Sequence, residues 1–256
     1  MKNEYDRLDY YYCCYYYFGY YSLLHLLSLL LLNPNISTFP CYPPLCCLSI
    51  TSINHGVHIM LGQMAHIDVR DRSHTAEKLT FKTLHDRKIT SIHLNPSNPS
   101  LLLTSSLDRT WKVWDIRSFE SRKEPEPLYQ WDGQTKSITS AYWGPNQEIL
   151  TTSYDDYVSL FKEPNASNLN PIMIPHDNFT GRWTTNFRAI WHPTAPYFII
   201  GNMKRKLDIY STIDGSLADS LDSEYLTAIP AMNAFNWNGS RIISGTSSGR
   251  VYIWGT

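Results

Sequence analysis

From about residue 63 onward, short runs of β-branched and aromatic residues alternate with turns rich in Asn, Asp, Pro and Gly. The run "LLTSSLDRTWKVWDIR" (102–117) aligns with "ILTTSYDDYVSLFKE" (149–163), so that Thr104, Asp108 and Trp114 fall on Thr151, Asp155 and Phe161. Two further runs, "FIIGNMKRKLDIYS" and "RIISGTSSGRVYIWG", bring Tyr210 and Trp254 to the same place. The aromatic thus recurs at 114, 161, 210 and 254, at spacings of 47, 49 and 44. Ahead of each run stands another that ends in a turn: "ITSIHLNPSNP", "ITSAYWGPNQ", "FRAIWHPTAP" and "MNAFNWNGS". Apolar runs bounded by turn residues predict strands. A strand–turn–strand–turn–strand unit at a period in the forties predicts β-propeller blades. An irregular β-sandwich would not place an Asp six residues before the aromatic in successive units.

Residues 62–256 are expected to hold about four blades, preceded by one leading strand, "AHIDVRD". Seven blades would need about 300 residues at this period. The expectation is an all-β, incomplete ring, about four blades of seven, with open strand edges at both ends, an association hazard.

Residues 1–61 are written differently. "YYCCYYYFGYYSLLHLLSLLLL" is Tyr-rich and then Leu-rich, and the Pro-rich "NPNISTFPCYPP" that follows cannot continue a helix. The Leu run has the length of a signal-peptide core but is broken by His25 and Ser28, and a spanning helix would have to take in the Tyr cluster. A membrane role is disfavoured. The composition break favours a mis-assigned start of low order, extending to about residue 61.

All five cysteines lie within the first 47 residues, and no Cys/His spacing matches a zinc site. The repeat region therefore reads as a reduced-compartment protein, with no metal or cofactor expected. The chain has a formal net charge of -1, which argues against a general polycation, so anion binding would have to come from local patches. The strongest imbalance lies between 176 and 206, where Arg182, Arg188, Lys204, Arg205 and Lys206 face one acid, Asp177.

Several segments carry a narrower likeness. "HDRKITSIHLNP", "SLDRTWKVWDIR", "TKSITSAYWGP", "HDNFTGRWTTNFRAIWHP" and "EYLTAIPAMNAFNWNGSRIISGTSSGRVYIW" together resemble the WD-repeat DNA damage-binding family, over roughly residues 62–256 and none of 1–61. In WD-repeat blades a His, a Ser/Thr, an Asp and a Trp form one hydrogen-bonded chain, which here implies His85, Thr104, Asp108 and Trp114. Buried polar groups that satisfy one another can rigidify a blade. His85 and Asp108 superficially offer an acid–base pair, but their spacing is explained by structure, and later blades have Lys204 or Ser248 in place of the acid. No catalytic residue is expected.

The resemblance further implies a nuclear, non-enzymatic propeller that binds duplex and single-stranded DNA, preferring ultraviolet-damaged duplex. In a related damage-binding propeller a hairpin at the position of residues 177–184 probes the lesion. A basic residue shortly after the blade's His touches the backbone, which implies Lys88 and, in the next blade, Lys136. The W-D-x-R sequence implies docking on the adaptor of a cullin-4 ubiquitin ligase, through Trp114, Asp115 and Arg117. Chromatin proteins are further implied partners.

Physical chemistry supports part of this. Phosphates need Lys or Arg, and distorted or unpaired bases need flat side chains to stack on. "NFTGRW" supplies Phe179, Arg182 and Trp183, with Gly181 permitting a tight turn. A wedge such as Phe179 or Trp183 would select lesions because a damaged pair opens at lower cost. Lys204 and Arg205 add charge from a strand-to-strand turn. The structural alternatives are that Trp183 covers a blade edge, Arg182 pairs with a carboxylate, and "KRK" is a solvated turn. Phe187 and Trp191 are assigned to core packing. The competing function is a protein–protein scaffold or ligase substrate receptor without DNA contact. A secreted or anchored propeller would depend wholly on residues 11–32.

Overall fold

The computed structural model describes residues 46–52, 55–60, 62–68, 81–120, 123–181 and 184–255. It is all-β in these residues apart from a 3-10 turn at Ile116–Glu120, and it divides into two compact units, Met1–Lys82 and Thr83–Thr256.

The first unit carries an antiparallel meander of β1 (Cys46–Ser52), β2 (His55–Met60) and β3 (Gln63–Asp68), and the short β4 (Lys82–Thr83) straddles the division between the units. Strands occur at Cys46–Ser52 and His55–Met60, and the division between the two compact units falls at 82/83. The alternating Leu48 and Ile50, and Val57 and Ile59, carry the period of two that a strand needs. The leading strand "AHIDVRD" overlaps β3, the third strand of that sheet. Residues 1–45 lie outside the described residues.

The second unit repeats one motif four times. The first blade is β5 (Ile89–Leu94), β6 (Leu101–Ser106), β7 (Trp111–Asp115) and β8 (Tyr129–Trp131). The second is β9 (Ile138–Trp143), β10 (Ile149–Ser153), β11 (Tyr157–Phe161) and β12 (Ile172–Pro175). The third is β13 (Ile190–Trp191), β14 (Tyr197–Gly201), β15 (Leu207–Ser211) and β16 (Leu217–Leu221). The fourth has three strands among the described residues, β17 (Met232–Phe235), β18 (Arg241–Gly245) and β19 (Val251–Gly255). Pairing is antiparallel within all four blades, and the register repeats: the recurring aromatics Trp114, Phe161, Tyr210 and Trp254 face Leu102, Ile149, Phe198 and Ile242.

Alternation along each strand gives each blade two apolar faces, and one face packs on the next blade. Leu103, Trp111 and Val113 of the first blade meet Trp143, Ile149 and Phe161 of the second. Leu150, Val158 and Leu160 of the second meet Phe187, Phe198 and Tyr210 of the third. Ile199 and Leu207 of the third meet Ile242, with Phe235 and Trp254 packed alongside. Phe187 is therefore core, as expected, and Trp191 packs against the same cluster while donating its indole N–H to Tyr142 O at 3.1 Å. Hydrogen bonds between blades fix the stacking, including Ala141 N–H to Ser91 Oγ at 2.8 Å and Ala189 N–H to Thr152 Oγ1 at 3.1 Å.

Candidate nucleic-acid interface

In every blade the loop entering the first strand lies beside the turn between the second and third strands, because the chain reverses there at the same end of the sheet. In the first blade Leu107 N–H donates to Lys88 O at 3.0 Å, and Ser106 Oγ donates to Arg87 O at 3.1 Å. In the second blade Tyr154 N–H donates to Ser137 O. These loops and turns build one end of the blade stack, and Lys88, Lys136, Phe179, Gly181, Lys204 and Arg205 all lie on them.

Beneath the first of these loops runs a hydrogen-bonded chain. Trp114 Nε1–H donates to Thr104 Oγ1 at 2.8 Å, leaving the threonine hydroxyl to donate to His85 Nε2 at 2.7 Å. His85 Nδ1–H then donates to Asp108 Oδ2 at 2.9 Å, and Asp108 also accepts from Thr110 and from the Asp86 amide. Burial lowers the affinity of His85 for a second proton, against the raising influence of Asp108. Burial also works to raise the Asp108 pKa, but the bonds from His85 and Thr110 outweigh it and hold the carboxyl well below the usual range. A neutral His and an ionised Asp result, with each partner committed to its neighbour.

Later blades keep fragments of this chain. Gln134 takes the loop position of His85 and donates to Ser153 Oγ at 2.6 Å and Asp155 Oδ2 at 2.7 Å. Phe161 has no N–H to offer, and Thr151 Oγ1 lacks a hydrogen-bond partner among the described residues. In the third blade His176 donates from Nδ1 to Asn178 Oδ1 at 2.8 Å, while its Nε2 stands 4.0 Å from Asp208. The chain is a scaffold for the loops above it.

Those loops carry the candidate contacts. Lys136, Lys204 and Arg205 are exposed, and Lys88 is half-buried. The turn of the third blade is organised by Asn202, whose Oδ1 accepts from the amides of Lys204 and Lys206. Phe179 is 74% exposed. It follows Asn178, which is buried and tied to Asp156, Ser153 and Tyr157, so an exposed ring stands on a fixed backbone. Gly181 has a φ of 70°, and a Cβ there would meet nothing within 4 Å, so its backbone conformation rather than crowding favours glycine. Arg182 and Trp183 lie outside the described residues. Asp86, Asp156 and Asp177 share this end, so the positive charge is concentrated at particular turns rather than spread evenly.

Sequence reasoning missed one regularity. The residues with positive φ at the tips of the second-to-third-strand turns are Arg109 (74°), Asp156 (64°), Arg205 (61°) and Gly249 (76°), each five residues before its blade's aromatic. Arg109 is exposed beside Asp108, and that acid masks it in a charge count. Arg250 and Tyr225 were also missed, since the most basic stretch of sequence ends at Lys206. Trp114, Asp115 and Arg117 lie at the opposite end of the first blade. Trp114 is buried, so the exposed part of that motif is Arg117, paired to Asp115 at 2.6 Å, which holds the Asp115 carboxyl below its usual range.

Known proteins share both the repeat and this arrangement of blades. The model of the WD domain, G-beta repeat, matches residues 77–115 and 125–162, and the chain is a WD-repeat protein built of β-propeller blades. It is similar to DNA damage-binding protein CMR1 of Chaetomium globosum, at 32% identity over 212 residues, 75% of this chain and 40% of that protein. The Neurospora crassa protein of the same name is also 32% identical over 212 residues, with the same coverage. WD repeat-containing protein 76 of Xenopus laevis is 30% identical over 196 residues, 73% of this chain and 33% of that protein. The chain spans about 40% of the length of the first curated relatives it matches. In fold it resembles a chain in the crystal structure of the mitotic checkpoint complex, with a TM-score of 0.59, 16% identity, and coverage of 79% of this chain and 59% of that one.

Proposed function

We propose that this protein is a nuclear DNA-binding propeller of the damage response, a binding module rather than an enzyme, meeting duplex and single-stranded DNA with preference for damaged sites. The observation that carries the reading is the gathering of Lys88, Lys136, Lys204 and Arg205 at one end of the blade stack, together with the exposed ring of Phe179. Cations there would meet phosphates, and Phe179, with Arg182 and Trp183 three and four residues on, would meet unstacked bases. The names of its relatives point the same way.

The test is fluorescence anisotropy of the full chain on plain duplex, irradiated duplex and single strands over a salt series. Native protein is expected to bind with affinity that falls steeply as salt rises. A double variant, Lys204→Ala with Arg205→Ala, is expected to reduce the salt slope by about 2, one for each phosphate no longer neutralised. Replacing Arg182 and Trp183 together is expected to remove the preference for irradiated duplex. Binding unchanged by both double variants would overturn the reading. A second reading draws on the exposed Arg117–Asp115 pair at the opposite end. Adaptor docking there would leave the DNA-facing end free, so Arg117→Ala would lose adaptor capture with DNA affinity unchanged.

A further inference from the structure

Residues 222–231 lead from β16 into β17 and hold Tyr225, whose ring is 73% exposed. Its backbone is fixed. The Tyr225 carbonyl accepts from Thr227 N–H at 3.0 Å and from Tyr252 Oη–H at 2.9 Å, and its amide donates to Ser223 Oγ at 3.3 Å. Leu226 and Pro230 bury themselves on either side, and the Pro230 carbonyl presses against Gly201 so closely that a Cβ there would collide with it. The loop is tethered along its length, while the ring it displays stands out in solvent. A large aromatic face in water on a fixed backbone contributes little to the fold, and suits a partner that stacks.

The loop's tethers identify what surrounds that ring. On one side Asp222 pairs with Lys206 at 2.9 Å, joining the loop to the turn that carries Lys204 and Arg205. On the other side Arg250 Nη1–H donates to Thr227 Oγ1 at 3.0 Å, joining it to the turn of the fourth blade. Tyr225 therefore stands between two basic turns. Phe179 holds the same place one blade earlier, in the loop entering β13. Taken in blade order, the exposed groups read Phe179, Lys204 and Arg205, Tyr225, Arg250: aromatic, cation, aromatic, cation. Asp222 is neutralised by Lys206, and Glu224 is the acid left exposed beside the ring.

We infer that Tyr225 is a second base-stacking residue, and that the third and fourth blades together form a track for single-stranded DNA. A polynucleotide strand offers flat faces separated by phosphates, the order in which these side chains are arranged, and stacking on an aromatic is tolerant of sequence. The inference rests on the DNA-binding reading above and extends it to a blade whose charge the sequence did not single out.

The test uses the full chain with oligo(dT) and with intact duplex, comparing Tyr225→Ala, Tyr225→Leu, Tyr225→Phe and Glu224→Gln. Because the ring is free of the core, all four should match native thermal stability. Tyr225→Ala and Tyr225→Leu are expected to weaken oligo(dT) binding about tenfold, the effect of losing one stacked base. Tyr225→Phe should retain native affinity, and Glu224→Gln should strengthen it. Intact duplex should be affected less than the single strand. If native protein binds oligo(dT) and Tyr225→Ala binds it equally well, the stacking role is overturned while the DNA-binding reading stands. Equal loss on single strand and duplex would overturn the single-strand assignment. If native protein binds no DNA at low salt, the parent reading fails and takes this one with it.

Discussion

Leu160 in the second blade and Ile253 in the fourth occupy the same position, one residue before the recurring aromatic and paired to Leu150 and Ile243 respectively. Leu160 is completely buried, whereas Ile253 is 69% exposed. The contrast runs across the whole face: Val158 is buried and Val251 is 60% exposed, and Leu150 is buried where Ile243 is 46% exposed. Both faces are equally apolar in sequence. What separates them is the neighbour, since the second blade's face is covered by Phe187, Phe198 and Tyr210 of the third. A blade's strands thus bring a hydrophobic face into being, and stacking turns that face into stability.

The largest effect that could break this comparison is a truncation made at matched positions. Leu160→Ala is expected to destabilise the chain by about 3 kcal/mol, combining lost transfer energy with a cavity between two blades. Ile253→Ala removes the same kind of side chain from an exposed face and should stay within about 0.5 kcal/mol of native. Urea unfolding of both variants decides the matter, and equal losses would show that the fourth blade's face is covered in solution.

An acid titration probes the same contrast through polar groups. In the first blade the Trp114–Thr104–His85–Asp108 chain contains two titratable members, whereas in the fourth Trp254 donates to Ser244 at 3.0 Å, with Asn233 accepting from that serine. His85 has a lowered pKa because it is buried, so the unfolded chain takes a proton more readily below about pH 6.5. Stability from this group is complete above that pH and falls as the solution is acidified. Asp108 has a depressed pKa, so its contribution holds above the ordinary carboxylate range and is lost further down. Both act in the same direction. Below about pH 6.5 the His85 contribution is expected to cost up to about 1.4 kcal/mol per pH unit. His85→Gln, which copies Gln134 of the next blade, should make that limb shallower, leaving the part due to buried His93 and His176, while keeping a hydrogen bond to the hydroxyl and a donor to the carboxylate. An unchanged pH slope in the variant would assign the acid sensitivity elsewhere.

The blades were legible because their period is written in side chains that packing requires: Phe161, Tyr210 and Trp254 sit where one blade packs on the one before it, and Trp114 holds the same strand position in the first blade. The polar chain of the first blade was equally legible, since His85, Thr104, Asp108 and Trp114 have no substitutes there. Its fragments were harder to see, because Gln134 replaces the imidazole with an amide and Asn202 with Asp208 builds a different turn. The strands in residues 46–60 were hidden by the composition change around them. At the candidate interface the clustered charge at Lys204 and Arg205 stood out in a residue count. Tyr225 did not, because an exposed aromatic and a buried one look alike until the loop's tethers are known. Arg182 and Trp183 rest on their sequence pattern alone, since both lie outside the described residues.

Arg109 offers the smallest and most discriminating test. It shares its turn position with Gly249, at φ values of 74° and 76°, yet one blade keeps an arginine where the other has the residue best suited to that backbone. A non-glycine side chain in the left-handed region costs about 1 kcal/mol, partly offset because glycine loses more freedom on folding. Arg109→Gly is therefore expected to leave stability unchanged or raise it by about 0.3 kcal/mol. If the turn tips face phosphates, the same variant should lower the salt slope of DNA binding by about 1, although Arg109 is exposed and outside the core. A gain in stability with an unaltered salt slope would place the tip of the first blade's turn outside the interface.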